Sequence, residues 1–401
     1  MTPEHAPRPP LLSFPFVTLW LAILIGFANV AVFYGFYPYL LSIGISPFWA
    51  SLLLALEPMT AFFLRPVISP RLSAANALPI MRGSMAVIGL ALLAYPWATT
   101  LPLLLLLRVA HGAAFVILVS ATTALLVHFI PPERSGQGFG IFTLGTLLPF
   151  AFVPPIVEQM LPLLPSAAHV YAWMSLPALP ALLLLSLLGP HARLASASLP
   201  QGKKESNLKE IITALRTPGV FRTLCVGLCI FFSSSLLFFF MKGFAQSIGM
   251  ANAGLFFSVT TGATILVRVL GNGFFDRVDK IQTLVLSLLF LAGCYASYSL
   301  VHTPPPFLLA AAGFGAAIGV AMPLLQSTLF LQADAAKRGL TTNLFFSTMD
   351  AGMFLGPYLG GMLLGAGLSH AGLFLISAGL ALLGAALMVR VRIAAPSTAG
   401  S

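Results

Sequence analysis

Charged side chains are scarce in this sequence. Only 7% of its 401 residues are Asp, Glu, Lys or Arg, and 58% are hydrophobic, whereas soluble domains carry about 25% charged residues. A composition this poor in charge excludes an ordinary soluble enzyme and predicts an integral membrane protein. We expect no nucleic-acid partner, because the basic residues punctuate apolar segments instead of clustering on a soluble face.

Cysteines and nucleotide-binding motifs are also few. The three cysteines, Cys225, Cys229 and Cys294, all fall in apolar segments and form no CxxC motif, which excludes a disulfide framework. No GxxxxGK[ST] motif occurs, so ATP is not the expected energy source. The histidines and acids lack metal-ligand spacing. We therefore expect neither a cofactor nor a metal ion.

Long apolar runs fill the rest of the chain. A membrane-spanning helix needs about 20 such residues, and we predict twelve spans, at 14–41, 48–67, 78–98, 101–130, 137–162, 168–189, 220–246, 252–275, 281–301, 306–332, 339–365 and 370–391. The predicted fold class is an all-α membrane protein of twelve transmembrane helices. Its predicted parts are an N-terminal tail at 1–13, six-helix bundles at 14–189 and 220–391, a basic linker at 190–219 and a C-terminal tail at 392–401.

Lysines and arginines fall on one side of the predicted membrane. If the N-terminus is cytoplasmic, the six loops assigned to the outside contain neither Lys nor Arg. The positive-inside rule then predicts that both termini are cytoplasmic. Topology thus accounts for the net charge of +10, and we expect a multi-pass protein of the bacterial inner (plasma) membrane.

The two halves of the chain resemble each other. An offset of 203 residues aligns residues 112–114 with 315–317, both Gly-Ala-Ala, and an offset of 205 aligns 42–44 with 247–249, both Ser-Ile-Gly. Parallel repeats of this kind occur in transporters whose two bundles rock about a central site.

Three motifs resemble those of one transporter family. Arg108, followed four residues later by Gly112, resembles the fourth-helix motif of the major facilitator superfamily. Asp276-Arg277 resembles its cytoplasmic loop motif, and the GxxxGPxxGG run from Gly352 to Gly361 resembles its glycine-proline motif. The resemblance implies two six-helix bundles related by a pseudo-two-fold axis, which work by alternating access.

The same motifs suggest where gating occurs. The loop motif is associated with closure of the inner gate in this family, although the first-half loop after Arg65 has no acid before Arg71. The glycines at fourfold spacing let two helices pack closely, and the proline among them marks a kink. We predict gating roles for Asp276, Arg277, Arg65, Gly352, Gly356 and Pro357.

Among the charges inside predicted spans that do not recur between the halves, we single out Glu57, Arg108, Lys242 and Asp350. An ionisable side chain in hydrocarbon is costly unless it faces protein or water, so each is a functional candidate. Glu57 and Arg108 lie at matched depth and predict an ion pair. One alternative is a permanent structural pair. The other is a pair that opens when Glu57 is protonated or when an anionic substrate binds Arg108 in place of Glu57.

Asp350 lies near the middle of its predicted span with no basic neighbour in its own helix. This position suits a carboxyl group that binds and releases a proton in each cycle. The alternative is an acid that is hydrogen-bonded to Ser347 or Thr348, or that faces a water-filled cavity, with no role in transport. Asp350 and Glu57 are the predicted proton-coupling residues.

The resemblance implies that the first, fourth, seventh and tenth spans line a cavity. We predict substrate contacts on these four spans and on the eleventh. The candidates are Arg108, Lys242, Asn29, Tyr34, Tyr37, His111, Gln326 and Asn343. Lys242 lies near the outer end of its span, so an interfacial anchor is the alternative. For the uncharged residues the alternative is an interhelical hydrogen bond, and for His111 a structural or proton-shuttling role.

These features predict a proton-coupled secondary transporter, not an enzyme. The Thr/Ser-x-Asp-x-Gly run at Asp350 resembles that of bacterial efflux members and favours export of a small organic compound by proton antiport. The alternative is proton-coupled uptake of an organic anion or nutrient, supported by Arg108 and Lys242. A non-transporting receptor on the same fold is a further alternative. We expect a monomer whose partners are the small-molecule substrate, protons and the lipid bilayer.

Overall fold

The computed structural model describes residues 12–131, 134–192, 212–213, 215–271, 277–333 and 338–391. Within these ranges the backbone is helical, with turns between helices and no β-strand. This arrangement agrees with the predicted fold class, because in hydrocarbon a helix satisfies its backbone hydrogen bonds within one segment.

The first half contains eight described α-helices. They are α1 Phe14–Ala31, α2 Phe36–Ser42, α3 Pro47–Ile68, α4 Ala74–Ala94, α5 Leu101–Leu126, α6 Ser135–Met160, α7 Ala167–Trp173 and α8 Ala178–Leu187. The first and sixth predicted spans are each interrupted, by a 3-10 turn at Val32–Gly35 and by the turn between α7 and α8. Prolines explain both breaks. Pro38 and Pro177 cannot donate to the carbonyl groups of Tyr34 and Trp173 four residues earlier.

The second half contains six more described helices. They are α9 Pro218–Ser247, α10 Leu255–Leu270, α11 Lys280–Ser297, α12 Pro304–Gln332, α13 Arg338–Gly365 and α14 His370–Val389. Ten described helical segments in the chain are long and apolar enough to cross a membrane. The eighth predicted span, 252–275, corresponds to α10, which has only 16 described residues. The eleventh corresponds to the 28 residues of α13.

Close contacts group the described residues into two compact units that do not follow the sequence halves. The first unit comprises the described residues of 1–32, 63–153 and 161–203. The second comprises those of 33–62, 154–160 and 204–401. Within the first unit, α4 packs along α5 and α8. Arg82 of α4 donates to the Leu185 and Ser186 carbonyls at the end of α8 (3.0 and 3.2 Å), where such groups lack helical partners.

The second unit is built from paired helices: α9 packs on α13 and α14, α10 on α12, and α11 on α12 and α14. It also includes α2, which contacts α9. Small and hydroxyl side chains bring α10 and α12 together. Thr264 donates to the Gly315 carbonyl at 2.8 Å, and a Cβ at Gly315 would collide with the Thr260 backbone. Small residues thus let these two transmembrane helices pack closely.

The two Ser-Ile-Gly sequences form the same turn. Gly44 and Gly249 have φ angles of 84° and 76°, a left-handed conformation that only glycine adopts without strain. In each turn the residue after glycine donates to the carbonyl five residues earlier, Ile45 to Leu40 and Met250 to Ala245, both at 3.0 Å. These are helix C-terminal caps of the Schellman type. The local repeat predicted from sequence is matched by local structure.

Candidate functional site

All four unmatched charges are buried. The exposed fraction is 6% for Glu57, 0% for Arg108, 8% for Lys242 and 5% for Asp350. None of them is turned toward the outer surface, where lipid would surround it. Burial of ionisable groups within a membrane-spanning bundle is the arrangement expected of functional residues.

Arg108 and His111 belong to the first unit and lie one turn apart on α5, both fully buried. Glu57 lies on α3 in the part of that helix assigned to the second unit. The ion pair between Glu57 and Arg108 therefore stays a prediction.

Asp350 lies on α13, near the middle of the helix. The hydroxyl groups of its two predicted partners are directed elsewhere: Ser347 donates to the Asn343 carbonyl at 3.1 Å, and Thr348 donates to the Phe345 carbonyl at 2.7 Å. Each thus bonds the preceding turn of its own helix, a common arrangement for hydroxyl side chains in helices.

Glycines give α13 its close contact with α9. A Cβ at Gly352 would lie 2.7 Å from the backbone nitrogen of Phe232, and one at Gly356 would lie 2.7 Å from the Phe232 carbonyl oxygen. Ser235 of α9 donates to the Gly352 carbonyl at 3.2 Å. The two backbones approach each other directly, as the fourfold glycine spacing predicts. Asp350 is thereby held on a helix whose position α9 closely defines.

Lys242 is paired with a carboxylate that the sequence analysis did not single out. Its Nζ lies 3.0 Å from Oε1 of Glu158, near the end of α6. The Tyr34 hydroxyl donates to the same carboxylate oxygen, and Nζ lies 5.4 Å from the centre of the Tyr34 ring. The ammonium group of Lys242 thus takes part in an ion pair and a cation–π contact, and the Tyr34 hydroxyl adds a hydrogen bond to the carboxylate. Lys242 is directed into the protein, not extended along the surface as an interfacial anchor.

Two further contacts surround this cluster of Tyr34, Glu158 and Lys242. A Cβ at Gly35 would lie 2.8 Å from Cδ of Lys242, so glycine leaves room for the lysine chain. The Tyr34 ring packs edge-on against Phe257, with centroids 5.4 Å apart. Burial on these sides leaves about a tenth of each charged side chain exposed.

Glu158 carries a signal that the repeat comparison could have found. The 203-residue offset sets it opposite Gly361, so it is a further unmatched charge in a predicted span. Its position four residues before the end of the fifth predicted span resembles an interfacial site. No local sequence pattern indicates that Lys242 is its partner, because the two residues are 84 positions apart in the chain.

The remaining predicted residues are distributed through both units. Asn29 is buried on α1. Tyr37 is buried and donates to the Gly361 carbonyl at 3.2 Å, which is the interhelical hydrogen bond given as its alternative. Gln326 and Asn343 are exposed, Arg65 is half-buried and Arg277 is exposed. Asp276 lies outside the described residues. Among the described residues, no group of His, Cys, Asp and Glu is placed to hold a metal ion.

The sequence matches the Major Facilitator Superfamily over residues 19–345. The chain belongs to this superfamily. It is therefore a multi-pass membrane transporter, and the family resemblance inferred from the sequence is confirmed. No match was found among curated proteins.

Solved structures of other superfamily transporters have the same fold. A bacterial homologue of the human lysosomal transporter Spinster, inward-facing and occupied, has a TM-score of 0.72 and 14% identity over 93% of this chain and 95% of its own. A POT family transporter in complex with a thioalcohol-conjugated peptide has a TM-score of 0.71 and 13% identity over 94% of each chain. Identities this low establish the fold alone.

Proposed function

We propose that this superfamily member is a proton-coupled secondary transporter that exports a small, partly apolar organic compound by alternating access. In this proposal Asp350 and Glu57 bind and release protons. The observation that carries it is the burial of Asp350, 5% exposed, in the interior of a membrane-spanning helix. A carboxyl group at such a position changes its interaction with the surrounding protein strongly when it is protonated.

The charges buried in the second unit bear on the charge of the cargo. Glu158 neutralises Lys242 within the second unit, so this lysine contributes little net positive charge. Glu57 and Asp350 are also buried in that unit. An acidic, aromatic cavity would attract a cationic or neutral cargo, whereas a positive cavity would attract an anion, because Coulomb forces are strong at low dielectric constant.

Proton-coupled uptake of an organic anion remains the second candidate. It is favoured by Arg108, a cationic side chain that is fully buried on α5. Antiport moves cargo and protons in opposite directions, whereas symport moves them together. The direction of the proton flux thus separates the two candidates.

Transport by purified protein in liposomes tests the proposal. Vesicles with trapped pyranine report proton flux when ethidium, a lipophilic cation, or benzoate, an organic anion, is added under an imposed pH gradient. For antiport we expect ethidium accumulation against outward proton flow. Asp350→Asn should abolish gradient-driven accumulation while sparing cargo exchange, and Glu57→Gln should weaken accumulation.

Asp279→Asn is the matched control. Asp279 caps α11 by accepting from the Gln282 amide at 2.8 Å, and asparagine retains that capping oxygen. This variant should transport like the wild type. If Asp350→Asn also accumulates ethidium normally, Asp350 has no part in coupling. Benzoate uptake together with protons would favour symport.

The proposal also includes the predicted topology. We propose six-helix bundles at 14–189 and 220–391, joined by a cytoplasmic linker at 190–219, in a monomer of the bacterial inner membrane with both termini cytoplasmic. The absence of Lys and Arg from the loops assigned to the outside supports this orientation.

A further inference from the structure

Segments of the first sequence half are held against helices of the second half within the second unit. The cluster of Tyr34, Glu158 and Lys242 joins the turn after α1 and the end of α6 to α9. Nearby, the Asn252 amide donates to the Pro155 carbonyl at 3.3 Å. Gly254 lies so close to the Pro155 backbone that a Cβ there would collide with it.

A second set of contacts joins α2 and α3 to α13. The Tyr37 hydroxyl donates to the Gly361 carbonyl at 3.2 Å, and Ser51 lies against the same glycine. A Cβ at Gly365 would lie 2.6 Å from Pro47. Alternating access requires the two sequence halves to separate at each end in turn. The contacts of α2, α3 and α6 with α9 and α13 would therefore have to open once in each cycle.

We propose that Glu158 is a third proton-binding residue of this transporter, whose protonation releases Lys242 and Tyr34 and thereby unlocks the contact between the halves. The inference rests on the proposed proton-coupled function. It assigns to Glu158 a coupling role distinct from those of Asp350 and Glu57.

Electrostatics explains why one proton would have this effect. The Glu158 carboxylate accepts from both Lys242 and Tyr34, and it neutralises the ammonium group. Removing one partner of a largely buried ion pair leaves an uncompensated charge and is strongly destabilising. A protonated Glu158 would leave Lys242 charged among aromatic rings. Movement of the Lys242 ammonium group toward water would then lower its free energy. That movement requires the contact between the two sequence halves to open.

Two of the elements that contact Glu158 present titratable groups to it. The turn after α1 presents Tyr34 and α9 presents Lys242. The loop before α10 presents the uncharged amide of Asn252 to α6, and α10 presents Phe257 to Tyr34. His370 of α14 lies against Gly243, next to Lys242 along α9. A Glu158 variant therefore isolates the response of this carboxylate from that of His370.

Distance measurements between two spin labels test the inference without a substrate. Leu41, at the end of α2, and Leu300, just after α11, are 39% and 78% exposed. Both are labelled as cysteines in lipid nanodiscs after replacement of Cys225, Cys229 and Cys294. Lowering the pH should increase the population with the longer distance. Glu158→Gln should have that longer distance at neutral pH, with an open-to-closed ratio raised at least about tenfold.

Three further variants keep the result interpretable if Glu158→Gln folds poorly. Gly35→Ala places a Cβ against Lys242 and should raise the open population without changing any charge. Gly262→Ala, where no atom lies within 4 Å of an added Cβ, should behave like the wild type. The exchange Glu158→Lys with Lys242→Glu should restore the short distance at neutral pH.

The inference fails if Glu158→Gln has the short distance at every pH, or if the wild type does not respond to pH. It is separable from the proposed function. Asp350→Asn should lose proton-driven accumulation and keep the pH-dependent distance change. Loss of that change in Asp350→Asn, with Glu158 intact, would assign the response to Asp350 instead.

Discussion

Two helices at equivalent places in the sequence repeat, α6 and α13, use glycine in different ways. In α13, Gly352 and Gly356 admit the backbone of α9, so the two helices touch main chain to main chain. In α6, Gly138 and Gly145 are covered by the side chains of Ile130 and Trp20. At the end of α6 the glycine lies on the other side of the contact. Gly254, just before α10, leaves room for the backbone of Pro155 in α6.

A glycine in a transmembrane helix therefore does not by itself indicate what packs against it. A side chain can rotate away from an added methyl group at modest cost, whereas a helix backbone can move only as a whole. A Gly→Ala substitution should therefore destabilise the protein most where a backbone faces the glycine and least where nothing covers it.

The largest effect is expected from Gly356→Ala in α13. The added Cβ would lie 2.7 Å from the Phe232 carbonyl and collide with Ser235. Overpacking of this kind typically costs about 1–3 kcal/mol, and we expect a clearly lower Tm in detergent. Gly262→Ala, with open space around it, is the control. Equal Tm values for the two variants would show that α9 and α13 are not closely packed.

An intermediate effect is expected from Gly145→Ala in α6. Its Cβ would lie 2.8 Å from Nε1 of Trp20 and displace the ring, which donates to the Ile141 carbonyl at 2.9 Å. The loss of one hydrogen bond costs about 1 kcal/mol. Trp20→Phe removes the same donor, so the double variant should lose less than the sum of the two single losses. Full additivity in the thermal unfolding measurements would contradict the contact.

The smallest effect is expected from Gly140→Ala, also in α6. The described residues outside its own helix place no atom within 4 Å of an added Cβ, and alanine is the better helix former by about 1 kcal/mol. The Tm should be unchanged or slightly raised. A marked loss of stability would mean that this face of α6 is covered in the membrane, and it would remove the distinction between open and covered glycines on this helix.

The spans were well predicted because each depends on a local run of apolar residues. The predicted second span, 48–67, is observed as Pro47–Ile68. The interruptions of the first and sixth spans were not predicted, although Pro38 and Pro177 were visible, because hydropathy does not distinguish a continuous helix from a broken one. Burial of the unmatched charges followed from the cost of exposing them to lipid.

Partners across the fold were harder to predict than burial. The repeat comparison identified Lys242 as unmatched and overlooked Glu158, its partner in the structure. Depth along a helix predicts which residues share a level in the membrane. It does not predict which faces meet, because that depends on how each helix is rotated about its axis.

The sequence by itself determined that this chain is a helical membrane protein of the superfamily. Hydropathy, charge asymmetry and glycine spacing are properties of neighbouring residues that add up along one segment. Only the tertiary structure decided that Lys242 pairs with Glu158 and Tyr34, and that α13 touches the backbone of α9. Such contacts depend on the rotation and approach of helices far apart in the chain, which no single segment specifies.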